Sequence, residues 1–335
     1  MSGLYPLRLA PSWREKIWGS TNLEPLFEPR SGRIGEVWYS FEENTIAGGP
    51  LAGQTLAGLI ERHGAELLGS AHEPRRLQRR SAGEAAAARQ AASSVYFPIL
   101  VKFLFTSDKL SVQVHPDDTY ALEHEDGPGK TEMWYVLRAG PGAAVALGLD
   151  RALTREELRR AAVSGEIERY LNWVPVNPGD AIFSPPGTLH SIGTGLALCE
   201  IQQNSDLTYR FYDFGRLGDG GRPRPLHIDQ AVEVTRLDSY DWLQTPAPFR
   251  RGGMEGETLV VCDYFAVERL WGAAPLRYEP EPARFHLLVF LEGCGALDGQ
   301  PYRPGDVYLI PAAAPPFEWR PAGRTLALRT YVPGD

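Results

Sequence analysis

Four side chains in this sequence have the types and the spacing of a single metal site: Gln113 and His115 in LSVQVHPDD, Glu132 in KTEMWYVL, and His190 in GDAIFSPPGTLH. Gln113 and His115 are two residues apart in a run with Val112 and Val114, so a strand through them turns both polar groups to one face. Glu132 stands just before the apolar run Met133 to Leu137, and His190 closes a second strand signal. Two imidazoles, one carboxylate and one amide oxygen form an N/O donor set that suits zinc, provided the imidazoles are neutral and the carboxylate ionised. Alone, His190 would read as a hydrogen-bonded histidine at a strand end. The Gln-x-His pair and the glutamate upstream favour ligation.

The elements that must position these residues are short strands between tight turns. Gly179, Pro185, Gly187 and His190 follow the second cupin motif, G-x5-P-x-G-x2-H. Pro178-Gly179-Asp180 is turn chemistry, Ala181-Ile182-Phe183 a short buried strand, and Pro185-Pro186-Gly187 a stiff reversal that delivers His190 to a barrel interior. Helical periodicity is confined to Thr55–Leu68, with Thr55 as N-cap, and to Thr154–Arg169, where Thr154 and Glu157 have capping-box spacing. Residues 70–93 form a polar, Ala-rich connector to which no function is assigned. From about residue 238 a worn internal repeat begins. PGDVYLIPAAAPPFEW keeps the turn residues as Gly305 and Pro311, but Ala313 replaces Gly187 and Pro316 replaces His190. The expected fold is mainly β: two cupin-like jelly-roll barrels with a few helices, residues 1–237 holding the metal and 238–335 metal-free. His286, within FHLLVF, reads as a core or rim residue of the second.

Composition narrows the class. A chain of 335 residues with 43% hydrophobic content can bury a large core, and 35 Gly with 28 Pro suit many short strands. No apolar run reaches membrane length or forms a secretion signal, and three cysteines form no framework, so reduced thiols in a cytoplasmic protein are expected. A net charge of −8 argues against nucleic acid, and any anionic ligand must meet a local cluster of cations. Of 34 basic residues only four are lysine: Lys16, Lys102, Lys109 and Lys130. Lys102 lies in the apolar run Phe97 to Phe105 and Lys130 two residues before Glu132. A charge in such a run needs a partner or a ligand.

The chain resembles a type I phosphomannose isomerase of the short bacterial form, in the cupin superfamily. The resemblance covers nearly the whole length and rests on EKIWGS, GEVW, the lysine of VKFLF, LSVQVHPDD, GKTEMWYV, PPGTLHSI and EIQQNSDLTYRFYDFGR. It implies that Gln113, His115, Glu132 and His190 hold one Zn2+ per chain, although Gln113 is not kept throughout the short bacterial members. It implies further that Arg210 is the catalytic arginine and that Ser111, Lys102, Lys130, Trp18, Glu36 and Glu200 belong to the pocket of a hexose 6-phosphate. Glu200 suits proton transfer, or a structural ion pair with Arg210. A monomeric, zinc-dependent aldose–ketose isomerase is the resulting expectation. An iron oxygenase and a non-enzymatic sugar-phosphate sensor are the rivals.

Overall fold

The computed structural model describes residues 3–70, 96–125, 127–218, 220–238, 240 and 245–334. The chain is mainly β, with sheets of seven, six, five and four strands and four α-helices among the described residues. It divides into two compact units, residues 13–37 with 102–243, and residues 1–12 with 38–101 and 244–335. All four candidate ligands belong to the first. No described helix is long and apolar enough to cross a membrane.

In that first unit the five-stranded sheet runs in the order Tyr209–Tyr212, Val112–Val114, His190–Ile192, Ala144–Leu149, Leu171–Pro175. The six-stranded sheet contributes Ile99–Phe105, Leu196–Gln203, Glu132–Ala139 and Ala181–Ser184 as successive neighbours. Val145, Leu147 and Ile192 of one sheet join Leu104, Trp134, Val136, Ile182 and Leu198 of the other in one buried cluster. The sheets therefore pack face to face over an apolar core. The opposite face of the five-stranded sheet buries Val112, Val114, Tyr209 and Phe211 against Leu158 of helix Arg155–Ser164 and Ala231 and Val232 of helix Ile228–Val234.

Alternation along a strand then decides where the intervening residues point. Val112 and Val114 face the helices, so Gln113 faces the other sheet. Tyr209 and Phe211 do the same for Arg210. Across the core, Trp134 and Val136 share their face with Glu132, Leu198 with Glu200, Leu104 with Lys102, and Ile192 with His190. Fully burying Trp134 on this face sets the spacing of the sheets, and its truncation to alanine costs about 3–5 kcal/mol.

Local signals account for the connections. Helix Leu56–Leu68 is capped by Thr55, whose side chain accepts from the Gly58 N–H. Thr154 and Glu157 form the reciprocal capping box of helix Arg155–Ser164, but this helix ends earlier than periodicity suggests. Gly165, at φ 79°, takes the left-handed position that closes it, and Glu166–Arg169 continues as a 3-10 turn. Gly187 has φ 81°, and a Cβ there would lie 2.8 Å from the Val234 carbonyl oxygen. Its N–H donates to the His115 carbonyl at 2.8 Å, tying the reversal before His190 to the strand before His115. Beyond Ser70, the connector expected at residues 70–93 lies outside the described residues.

In the other unit, strand Val307–Ile310 is buried on both faces and pairs with His286–Glu292, which pairs in turn with Thr325–Tyr331. Strand Leu7–Arg8 extends this sheet beside Val307–Ile310, so the C-terminal block shares its unit with the N-terminal residues. The pairing registers of the two units correspond. Glu132 lies opposite Ser184 and His286 opposite Ile310, and both partners stand five residues after the turn glycine (184 − 179 and 310 − 305). His286 thus holds the register place of Glu132. Arg329, opposite Leu288, holds that of Glu200, opposite Trp134. The ion pair between Lys102 and Glu200 (3.6 Å) has as its counterpart Glu268 with Arg329 (3.1 Å), with the signs exchanged.

His286 is buried with Nδ1 2.9 Å from the Tyr278 hydroxyl and Nε2 3.0 Å from Arg329 Nη2. Burial lowers the imidazole to about 4 against the pull of Glu281, and the Arg329 charge acts in the same direction. Glu281 would prefer a protonated Nε2. The guanidinium N–H aimed at that atom demands a lone pair, so the ring is neutral. A folded value below the unfolded one means that the unfolded chain takes up a proton first as pH falls. Stability present above about 6.5 is therefore lost as pH drops toward 4. In urea unfolding, His286→Gln is expected to flatten the loss between pH 6.5 and 4 by up to about 1.4 kcal/mol per pH unit, the one-proton slope. An unchanged slope would mean that His286 titrates normally.

Candidate active site

The inward positions of the two sheets bring His115, Glu132 and His190 together, each fully buried, with one ligand atom from each lying within 4.8 Å of the others. His190 Nε2 is 3.1 Å from one Glu132 oxygen and His115 Nε2 is 3.5 Å from the other. Both rings are oriented from behind. His115 Nδ1 lies 2.8 Å from the Leu207 carbonyl, and His190 Nδ1 lies 2.9 Å from the Thr188 carbonyl. A carbonyl can only accept, so both Nδ1 atoms carry the proton and both Nε2 lone pairs point at Glu132.

Electrostatics complete the donor set. Burial drives His115 down to about 3 and holds His190 below its ordinary value, so both rings are neutral at neutral pH. Burial alone would raise Glu132, but the Lys130 ammonium beside it outweighs burial, and the carboxylate stays well below its ordinary range. Neither Glu132 oxygen receives a well-aligned hydrogen bond from the described residues. Two imidazole lone pairs directed at an ionised carboxylate form the donor set that a divalent cation requires, and these residues fit one.

Gln113 joins the site less directly. Its Nε2 is 3.3 Å from His190 Nε2, while its Oε1 accepts from Ser111 Oγ at 3.4 Å. Half a turn of the amide would exchange the two and present oxygen to the cluster. Lys130 precedes the strand instead of lying in it, yet its buried ammonium reaches Glu132 at 2.6 Å and His115 Nε2 at 3.3 Å. Burial opposes its charge, but Glu132, Glu200 and Asp206 outweigh burial and raise its pKa.

Lys102 is buried 3.6 Å from Glu200 and 3.7 Å from Asp206, whose side chain is largely exposed. Glu200 accepts from Trp134 Nε1 at 3.0 Å. Burial pushes its carboxyl up, Lys130 and Lys102 pull it down, Glu132 and Glu36 push it up, and it ends above the ordinary range. Its ion-pair partner is thus Lys102, not the Arg210 considered from sequence. Trp18 packs in the core cluster that holds Trp134, and Glu36 pairs with Lys16 at 3.3 Å while its charge reaches Glu200. Arg210 lies opposite Gln113 on the outer strand, half-buried, its Nη1 donating to the Pro225 carbonyl at 3.0 Å.

Sequence reasoning passed over Trp134 and Asp206, although both lie in stretches that carry the resemblance, GKTEMWYV and EIQQNSDLTYRFYDFGR. Trp134 was legible, since it follows Glu132 by two in a strand, whereas only the fold brings Asp206 to Lys102.

No protein-family model matches the chain. It is 36% identical to mannose-6-phosphate isomerase of Streptococcus mutans over 91% of this chain and 92% of that one. It is 35% identical to mannose-6-phosphate isomerase ManA of Bacillus subtilis over 91% and 93%. Among solved structures, mannose 6-phosphate isomerase from Bacillus subtilis superimposes with a TM-score of 0.82 at 32% identity, covering 98% of this chain and 99% of that one. A zinc-bound mannose 6-phosphate isomerase shares the fold with a TM-score of 0.70 at 20% identity over 98% of this chain. With relatives this similar along most of its length, and with a buried His-Glu-His cluster able to hold a metal, the chain belongs to the mannose-6-phosphate isomerase family and is an enzyme of that kind.

Proposed function

We propose that the protein interconverts mannose 6-phosphate and fructose 6-phosphate through an enediol, with one zinc ion per chain held by His115, Glu132 and His190 and assisted by Gln113. The observation that carries this reading is the convergence of two Nε2 lone pairs on an ionised, buried Glu132, on the same inner face as Glu200, Lys102 and Arg210. A zinc-bound relative of the same fold supports the choice of metal. Zinc, when bound, supplies a Lewis acid that polarises the substrate carbonyl.

The chain's own residues supply the rest. Moving a proton between adjacent carbons next to a carbonyl needs a base that can return what it takes. Glu200 is suited to this, because a carboxyl raised above its ordinary range holds a proton more readily near neutral pH. Arg210, planar and always charged, stabilises the oxygens on which negative charge grows. Lys102, with Asp206 toward solvent, and Ser111 suit the phosphate, fixing C6 so that C1 and C2 meet the metal. Lys130 touches two ligand residues, which favours a role beside the metal over one at the phosphate. The second unit is proposed to be metal-free, since His286 stands at the register place of the carboxylate Glu132 and Pro316 at the motif place of His190. Against an oxygenase, Lys102 lies beside Glu200, Lys130 beside Glu132 and Arg210 opposite Gln113, a gathering of cations that dioxygen chemistry does not require.

Treating the purified protein with a chelator is expected to abolish isomerisation in a coupled assay on mannose 6-phosphate, and zinc to restore it. Metal-loaded protein with no turnover of any hexose 6-phosphate would refute the proposal. By elemental analysis His190→Ala is expected to lose most of about one metal per chain, the content of a single tetrahedral site. Arg210→Ala is expected to keep its metal while kcat falls by about 10²–10³, the usual loss for one preorganised charge. Equal metal loss in both variants would make Arg210 a structural residue. Glu200→Gln preserves the Trp134 contact and removes the base, so kcat is expected to fall by about 10²–10⁴ with metal retained. A rate near the native one would assign the proton transfer elsewhere.

A further inference from the structure

Arg210 stands on the outermost strand of the five-stranded sheet, where among the described residues no strand pairs with its outward side. An edge strand presents unpaired N–H and C=O groups at alternate residues. At Arg210 both are taken by one residue. Its N–H donates to Nδ1 of His227 at 3.1 Å, and its carbonyl accepts from the His227 backbone N–H at 2.8 Å. His227 does for this single residue what a neighbouring strand would do for several.

The clip is anchored on both sides. Pro225, two residues earlier, accepts from the guanidinium Nη1 at 3.0 Å, so residues 225–227 hold the backbone and the head group of Arg210 together. His227 occupies the cap position of helix Ile228–Val234, whose Ala231 and Val232 are buried beneath the same sheet. The ring makes no capping hydrogen bond to that helix and serves Arg210 instead. To accept, Nδ1 must carry a lone pair. Burial, followed by the positive charge of Arg210, holds the imidazole below its ordinary value against Glu125 and the Thr208 backbone, which agrees with a neutral ring. Tyr209 meets the ring edge-on with centroids 6.2 Å apart.

We propose that His227 is a positioning residue for Arg210, completing the sheet edge at that one residue so that the guanidinium is presented to the reacting sugar at a fixed depth. The proposal rests on the reading of Arg210 as the charge that stabilises the transition state. Only a side chain with an acceptor at the place of Nδ1 can perform this task. Asparagine Oδ1 occupies nearly that place, whereas glutamine carries its oxygen one carbon farther out and leucine has no acceptor.

The test uses the zinc-loaded full chain with mannose 6-phosphate and compares His227→Leu, His227→Asn, His227→Gln, Arg210→Ala and the double variant that combines His227→Leu with Arg210→Ala. His227→Leu is expected to lower kcat by about 10-fold or more, part of the 10²–10³ that one preorganised donor is worth, with metal content and KM near native values. His227→Asn is expected to recover at least a third of native kcat, and His227→Gln to remain slow. The double variant is expected to be no slower than Arg210→Ala, because a residue that acts through another adds nothing once that other is gone. Losses that multiply in the double variant, or a native kcat in His227→Leu, would overturn the proposal while leaving Arg210 catalytic. A native kcat in Arg210→Ala would instead show that the reading beneath it had failed. If the leucine variant does not fold, the asparagine and glutamine pair decides, and equal rates for the two overturn it.

Discussion

A carboxylate buried as deeply as Glu132 is the constraint around which this site is built. Removing an ionised carboxylate from water costs several kcal/mol unless cations and donors replace its hydration. Here the nearest replacement is the Lys130 ammonium, 2.6 Å away, with two imidazole edges completing the surround. The imidazoles cannot donate to it, because backbone carbonyls behind each ring hold the proton on the far nitrogen. The arrangement therefore leaves a concentrated negative potential faced by lone pairs. A divalent cation relieves that potential, and an apolar core could not.

The same two sheets that bury Glu132 bring its partners. Each polar residue of the site takes its direction from apolar neighbours two positions away, packed in the inter-sheet core. Packing thus serves as the positioning device, and substitutions in Trp134 or Leu198 act on the chemistry through the spacing of the sheets. Trp134 also donates to Glu200, so one side chain fills the core and orients a carboxylate.

The second unit shows what happens when the register is kept and the charges are changed. His286 and Arg329 stand at the places of Glu132 and Glu200, and the guanidinium is neutralised by Glu268 and Glu281 within the protein. Breaking a buried pair of this kind by removing one partner costs about 3–5 kcal/mol. The internal cation makes the unit self-sufficient in charge, at the expense of acid stability through the neutral His286.

The amino-acid sequence by itself determined the strands, the turns and the types of the candidate ligands. Period-two alternation is local, glycine and proline act on their own dihedrals, and Gln113, His115, Glu132 and His190 announce themselves by residue type and by the turns around them. The helix at 154 was legible in its capping box, and its early end at Gly165 is also a local effect that periodicity alone overlooks. Tertiary structure decided the partnerships. Glu200 meets Lys102 and Trp134 rather than Arg210, because the registers of three strands set which side chains lie opposite. Lys130 meets Glu132 although it precedes the strand, since its long stem reaches back. His227, 17 residues from Arg210 in the chain, reaches it only because a helix packed beneath the sheet carries it there. Such contacts depend on chain segments converging in space, and no local propensity of the residues involved encodes that convergence.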